Sequence, residues 1–319
     1  MSQTTLLDIA KLNGNDQVIG LIEETLSSAP ELSIFPSRTI KGTTYTTGVR
    51  TGLPTVSFRD ANAGVAPSKS TFKKNLVECF ILSSLIKADK AVADAYEDGA
   101  EAWKLIEGSG VMKAALQRIG LQTWYGVSSD AKGFGGFKAM LTAGGTTAAG
   151  DALTINAAGT TAATASSVYA VKFGDQDAQF VFGQNSALTL GDWRVETVFD
   201  SEGKGFEAYV AALTAWAGLQ IGNENCARRI YNLTADSGKG LTDSLLAQLL
   251  ATFPVGVRPD AIFGSRRSIA QLQAARSVTL YGTGTTRPNQ PGVAPYPTEF
   301  EGIKIIATDS ILNTDAIGS

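Results

Sequence analysis

Apolar side chains are unevenly distributed along the 319-residue chain. The stretch 39–66, TIKGTTYTTGVRTGLPTVSFRDANAGVA, is rich in residues that favour extended backbone, and glycines and a proline interrupt it. This pattern predicts two β-strands with a turn between them, although the stretch contains few large apolar residues. Because an isolated two-stranded ribbon is only marginally stable in water, we expect the hairpin to pack against another surface.

The segments on either side of this hairpin differ in character. Apolar residues at helical spacing between Asn15 and Leu26 predict one helix, which Asn15 caps and Pro30 helps to terminate. Residues 1–36 therefore form an arm that is too short to be a domain. After the hairpin, the dense apolar run 76–86 predicts the first strand of a globular core.

Helical periodicity follows this strand. The sequence DKAVADAYEDG predicts a short helix, and residues 101–125 predict a long one of about 25 residues, or roughly 37 Å. Gly108 and Gly110 weaken its middle by about 1 kcal/mol each relative to alanine, which favours a bend there.

The remaining chain predicts strands and one compact α/β unit. Residues 139–171 hold mostly Ala, Thr and Gly, with apolar residues at strand spacing. DWRVETVFD and FEAYVAALTAWAGLQIG flank SEGKG as a hairpin would, although the second segment also fits helical spacing. The α/β unit begins with a helix that Thr242 or Asp243 caps, continues with a buried strand at PDAIFGS, and ends with a helix that Ser265 caps. FEGIKIIATDSIL predicts a closing strand.

Composition narrows the possible chemistry. The chain has no histidine, which excludes Ser-His-Asp and Cys-His catalysis and HExxH zinc sites, and no pattern predicts a cofactor or a metal site. Cys79 and Cys226 lie in apolar surroundings without metal-ligand spacing, so we expect reduced core thiols. A net charge of −3 disfavours a dedicated nucleic-acid-binding protein. No leader or membrane-spanning run is evident, which predicts synthesis in the cytoplasm and no membrane partner.

The order of these parts resembles the major capsid protein of tailed bacteriophages, the Hong Kong 97 fold, over nearly the whole chain. LPTVSFRDANAGVAPSKS is similar to the extended loop of one branch of that family. FEAYVAALTAWAGLQIGNENCARRIYNL looks like the strand pair of its peripheral domain, and TEFEGIKIIATDSI is similar to its closing strand. The resemblance implies an α+β fold with an N-terminal arm, an extended β-hairpin loop, a peripheral domain with a long spine helix and long strands, and an axial α/β domain.

The resemblance also implies a division of the chain. We expect residues 1–36 to be the N-terminal arm and 37–74 the extended loop. The peripheral domain with its spine helix follows at 75–130, and its strand pair at 192–233. The insertion or axial-domain strands lie between them at 131–191, the axial domain is 234–295, and the closing strand is 296–319.

The implied function is assembly into hexamers and pentamers of an icosahedral phage head that encloses double-stranded DNA. The implied location is the virion capsid, assembled in the host cytoplasm. The resemblance carries over no catalytic residue. It implies a portal, and decoration proteins as optional partners. Because no fused scaffolding segment precedes the arm, it also implies a separate scaffolding protein or assembly without one. No lysine–asparagine pair is identified for a covalent cross-link, so none is predicted.

DNA contact is expected to be weak and non-specific, through arginine pairs such as Arg228–Arg229 or Arg266–Arg267. The alternative is that these arginines are solvated or lie between subunits.

Within this scheme the hairpin packs on a neighbouring subunit, and the alternative is a hairpin that folds back on its own chain. In the family arrangement the extended loop crosses the neighbour's spine helix, so we expect cations on one to pair with carboxylates on the other. The alternative is that these residues are independently solvated surface charges. The candidate intersubunit residues are Lys41, Arg50 and Arg59 on the hairpin, and Glu97, Asp98, Glu101 and Glu107 near the start of the long helix.

Two other function classes remain open at this point. A tail-tube, fibre or other self-assembling structural protein would share the Thr- and Gly-rich composition, and it would form tubes or filaments where a capsid protein forms closed shells. A carboxylate-dependent enzyme is the third possibility, and it would be a monomer or small oligomer with a defined pocket.

Overall fold

The computed structural model describes residue 8 and residues 29–148, 150–184, 188–281 and 293–318. The helix predicted between Asn15 and Leu26, and most of the Gly- and Pro-rich segment before the closing strand, lie outside the described residues.

The described chain alternates strands and helices. The strands are β1 (Ser37–Thr39), β2 (Thr44–Gly52), β3 (Thr71–Glu78), β4 (Phe80–Asp89), β5 (Thr154–Asn156), β6 (Ser166–Val171), β7 (Ala178–Phe182), β8 (Thr189–Leu190), β9 (Arg194–Phe199), β10 (Gly205–Ile221), β11 (Ala227–Leu233), β12 (Ala261–Gly264), β13 (Glu299–Phe300) and β14 (Ile303–Ala307). The helices are α1 (Glu31–Ile34), α2 (Lys90–Asp94), α3 (Ala100–Tyr125), α4 (Phe137–Met140), α5 (Asp243–Ala251) and α6 (Arg266–Tyr281), with a 3-10 turn at Gly126–Ser128.

The first sheet is organised around β10, and we call it the β10 sheet. β4 pairs antiparallel along one side of β10, and β9, β8 and β7 pair in succession along the other, with β1 parallel to β7. The predicted β9–β10 hairpin is confirmed, and the helical alternative for FEAYVAALTAWAGLQIG is wrong. In its central part, Leu213, Ala215 and Ala217 are buried and alternate with the more exposed Thr214 and Trp216, which is the period of a strand.

The second sheet has the order β13-β14-β12-β6-β11-β5, and we call it the β12 sheet. Helices α5 and α6 supply Leu246, Leu249 and Ile269 to the core that they share with Ile230 and Ile262 of the sheet. The predicted caps are confirmed, since the hydroxyl of Thr242 accepts the Leu245 amide and that of Ser265 accepts the Ser268 amide.

Helix α3 spans 26 residues, as predicted, and is continuous through both of its central glycines. Gly108 has a packing role that periodicity cannot show. A Cβ at this position would lie 3.0 Å from Cδ2 of Leu190, so the glycine permits close approach of the helix to the β10 sheet.

One aromatic cluster joins the two sheets to the helix. Phe35 lies at its centre, with ring centroids 6.2 Å from Trp124 of α3, 5.2 Å from Phe180 of the β10 sheet and 5.7 Å from Phe263 of the β12 sheet. Because both sheets contribute to the same buried cluster, they form a single folded body.

The predicted hairpin exists, but its second strand is placed differently. β2 pairs antiparallel with β3, so the returning strand is 71–78 and not a segment within 39–66. The intervening residues 53–70 form no strand. Pro54 and Pro67 cannot donate backbone hydrogen bonds, whereas TFKKNLVE is a continuous run with β-forming residues.

Candidate assembly interface

The β2–β3 pair, which we call the ribbon, projects from the folded body. Alternate residues of β2, including Tyr45, Thr47 and Val49, are half-buried, while their neighbours on the other face are exposed. The two strands meet the body at Cys79, where the chain passes directly from β3 into β4 of the β10 sheet. The ribbon therefore presents one face towards its own body and leaves its other face and its far end free.

Residues 53–70, which we call the ribbon loop, carry apolar side chains with almost no intrachain cover. Phe58 is 108% exposed, Val56 91% and Leu53 76%, and Val65 is also exposed. Single exposed apolar residues are ordinary, but this group lies within one loop that contributes nothing to the core. Such a surface is typical of a protein–protein contact.

The segment that contains the ribbon and the ribbon loop is basic, in contrast to the chain as a whole. Residues 37–78 hold seven Lys and Arg side chains but only two carboxylates, although the whole chain has 27 Lys and Arg against 30 Asp and Glu. Of the predicted contact residues, Lys41, Arg50 and Arg59 are exposed here. The guanidinium of Arg50 lies 5.6 Å from the ring centroid of Phe72, and Arg59 donates to the carbonyl oxygen of Ala63 at 2.9 Å.

The predicted carboxylates come together at the opposite end of the β10 sheet. Glu97, Asp98 and Glu101 are exposed around the start of α3, and Glu107 is half-buried nearly two turns further along. Within the described chain, none of the three ribbon cations forms an ion pair with a carboxylate. The geometry thus leaves the three cations available to a second copy.

Two of these carboxylates are less available than the sequence suggests. Glu101 accepts from Nζ of Lys104 at 2.6 Å within the same helix. Burial, with the negative charge of Asp8 nearby, raises the pKa of Glu107. Glu97 and Asp98 also interact within their own chain, because their negative charges add to burial in raising the pKa of Tyr96. Pairing of any of the four carboxylates with another subunit therefore stays a prediction.

Sequence reasoning missed half of this acidic surface. The β9–β10 hairpin, residues 192–207, carries five carboxylates against two cations, and the adjoining residues 89–107 carry six against two. The two segments touch, since Nζ of Lys90 lies 3.7 Å from Glu207. Just beyond the hairpin segment, the Tyr209 hydroxyl also donates to Asp94 at 3.0 Å. We call these two segments the acidic surface. A charge count for each predicted element would have revealed this surface. It would also have added Lys69, Lys73 and Lys74 to the cations of the ribbon and its loop.

The proposed DNA-contacting pair Arg228–Arg229 is wrong, because both side chains are buried. Arg228 lies 4.9 Å from the ring centroid of Phe253 and donates to the carbonyl oxygen of Thr252 at the end of α5. Arg229 donates to Ser167 at 3.0 Å inside the β12 sheet. In the second pair, Arg266 is exposed and bonded to Asp309, while Arg267 donates to backbone carbonyls.

The described residues contain no cluster of three or more Cys, Asp or Glu side chains arranged to hold a metal ion. Among the helices of the described chain, none combines the length and the apolar character needed to cross a lipid bilayer. Both cysteines are free and buried, as expected for core thiols.

The profile of the family Major capsid protein GP7 matches residues 16–317 of the chain. The chain belongs to this family. It is accordingly a structural component of the bacteriophage head shell, and this assignment selects the capsid over the tail-tube or fibre alternative. No curated protein sequence matches the chain significantly.

Solved capsid structures share the fold. A chain from the structure of bacteriophage Epsilon15 superposes with a TM-score of 0.79 at 20% sequence identity, covering 99% of this chain and 97% of that one. The capsid of bacteriophage JBD30 gives a TM-score of 0.56 at 12% identity, covering 97% and 99% respectively. These similarities confirm the Hong Kong 97 type of α+β fold that the order of parts predicts.

Proposed function

We propose that this major capsid protein assembles into hexamers and pentamers through a head-to-tail contact in which the ribbon of one subunit lies on its neighbour. The observation that carries this proposal is the ribbon loop, whose apolar side chains have no partner surface within the described chain. Ring-forming contacts of this kind are heterologous, and the rotation between subunits decides how they close.

The reach of the ribbon suits such a contact. The nine residues of β2 extend about 30 Å at roughly 3.3 Å per residue, and the ribbon loop continues beyond them. This length is comparable with the width of a subunit domain, so the loop can lie across an adjacent copy.

Charge supports the same orientation. A basic ribbon and the acidic surface occupy different ends of one subunit, so a head-to-tail arrangement brings opposite charges together in every contact. Exposed pairs contribute only about 0.2–1 kcal/mol each and are weakened by salt. Their main effect is therefore to orient the ribbon, while burial of apolar side chains supplies most of the affinity.

In this proposal the β10 sheet and α3 form the peripheral domain, and the β12 sheet forms the axial domain. Compared with the division expected from the resemblance, β7 moves from residues 131–191 to the peripheral domain, and β11 moves from the strand pair 192–233 to the axial domain. The protein acts through assembly and carries out no catalysis. Assembly in the host cytoplasm, a portal, a scaffolding protein, weak contact with packaged DNA and the absence of a covalent cross-link stay predictions. Decoration proteins do too, and a solved JBD30 capsid is decorated with minor capsid protein trimers.

Replacing residues 53–70 by Asn-Gly tests the proposal. The dipeptide favours a tight hairpin turn and keeps β2 paired with β3. Because the ribbon loop contributes nothing to the core, the variant should unfold at the wild-type temperature but form no shells. Normal shells, or a variant that unfolds at a much lower temperature, would contradict an intersubunit role for the loop.

A further inference from the structure

The base of the ribbon is built differently from the rest of it. There Val77, Cys79 and Val181 form a small buried cluster, against which Tyr45 and Trp216 pack. Beyond this cluster the ribbon separates from the body. One cleft of about 580 Å³ and another of about 310 Å³ lie between the two, both lined by ribbon residues and by the turn after β10.

Two side-chain hydrogen bonds join the ribbon to the body beside these clefts, one from each strand. Tyr45 of β2 donates its hydroxyl to Oε1 of Gln220. Asn75 of β3 donates from Nδ2 to the backbone oxygen of Ile221 at 2.9 Å. Both acceptors belong to the last two residues of β10, so the two bonds reach the same point on the body.

The acceptor side of this contact is rigid. Gln220 is 2% exposed, and its Oε1 also accepts from Nε2 of Gln179 on β7 at 2.7 Å. Its own Nε2 donates to the backbone oxygen of Asp175 at 2.7 Å. A buried amide with its hydrogen-bonding groups satisfied in this way keeps its orientation, so it cannot follow a movement of the ribbon.

We infer that Tyr45 and Asn75 are positioning residues that fix the angle between the ribbon and the body, and that the ribbon turns about its apolar base when both bonds are broken. The clefts provide the space for this movement. The inference rests on the proposed function in one respect. The angle affects assembly because it decides where the ribbon loop meets the next subunit.

The thiol of Cys79 reports this movement directly. It is buried at the base of the ribbon, with Sγ 3.7 Å from the backbone oxygen of Val181, and burial raises its pKa. Turning the ribbon would expose the thiol and increase its reactivity towards a thiol reagent. Cys226, fully buried between the two sheets, serves as the internal reference.

The experiment measures labelling of both thiols by a disulfide reagent in unassembled wild-type protein, Tyr45→Phe, Asn75→Ala and the double variant. Loss of one hydrogen bond should speed Cys79 labelling roughly fivefold, and loss of both about 25-fold, while Cys226 labels at the wild-type rate. Tyr209→Phe is the matched control, since it removes a hydroxyl from the same sheet far from the ribbon and should leave both rates unchanged.

Unchanged labelling of Cys79 in the double variant would overturn the inference. So would a parallel increase at Cys226 together with a lower unfolding temperature, because that result shows general loosening. Electron microscopy of assembled variants completes the test. If wild-type protein forms shells of one diameter and the double variant forms shells of mixed diameter, the angle sets assembly geometry. Identical shells would refute that step, and failure of the wild type to form shells would refute the proposed function alone.

Discussion

Replacing Phe58 by alanine separates the stability of the subunit from that of the shell. The ring is fully exposed in the single chain, so its removal should change the free energy of unfolding of the unassembled subunit by less than about 0.5 kcal/mol. If the ring is buried against a neighbouring subunit, its loss removes about 1.5–3 kcal/mol from each contact. Since 1.4 kcal/mol is a tenfold change in affinity, the concentration needed for assembly should rise between tenfold and roughly a hundredfold.

The assay is sedimentation of shells across a dilution series at fixed salt, with unfolding of the unassembled protein measured in parallel. Val56→Ala and Val127→Ala form a matched pair, because both shorten an exposed valine but only the first lies in the ribbon loop. We expect Val56→Ala to raise the assembly concentration and Val127→Ala to leave it unchanged. Equal assembly of Phe58→Ala and wild type would refute burial of this ring between subunits.

Three further predictions concern charge, pH and packing. Arg50→Glu should weaken assembly at low salt, and adding Glu97→Lys to that variant should restore it. If neither change alters the yield of shells, this pairing is excluded. Burial raises the pKa of Glu31 above its ordinary value of 4.5, so the folded protein favours the protonated carboxyl. The stability of wild type relative to Glu31→Gln should therefore be greatest below pH 4.5 and fall as pH rises through the raised pKa. Chemical unfolding at pH 4–8 checks the direction of this change. Gly222→Ala should destabilise the subunit by about 1–3 kcal/mol in the same unfolding assay, because its Cβ would lie 2.0 Å from the backbone oxygen of Gln176; a neutral substitution would contradict this packing.

Local signals in the sequence predicted local structure well. The SEGKG turn placed the β9–β10 hairpin, and the side chains of Thr242 and Ser265 marked the helices that they cap. These features depend on a few neighbouring residues, which is why pattern and turn chemistry are sufficient to find them. The order of parts then indicated the fold of the whole chain.

Features that depend on distant contacts were not accessible in this way. The partner of β2 was assigned to the wrong stretch, because β-propensity alone does not determine which of two nearby extended segments pairs. The sequence pattern indicates surface charges at Arg228 and Arg229. Their guanidinium groups instead donate hydrogen bonds to carbonyl and hydroxyl oxygens from segments far along the chain. The predicted carboxylates lie near the start of α3, and their contact with another subunit stays a prediction. The engagement of Glu101 by Lys104 depends on side-chain conformation, which the sequence pattern does not determine.

The central claim is that this chain closes into a shell through its ribbon, and electron microscopy of the purified protein tests it most directly. Wild-type protein above its assembly concentration should form closed icosahedral particles with hexamers and pentamers resolved in averaged images. Protein in which Asn-Gly replaces residues 53–70 should remain folded and unassembled under the same conditions. Tubes or open sheets from the wild type, or closed particles from the shortened ribbon, would contradict the account.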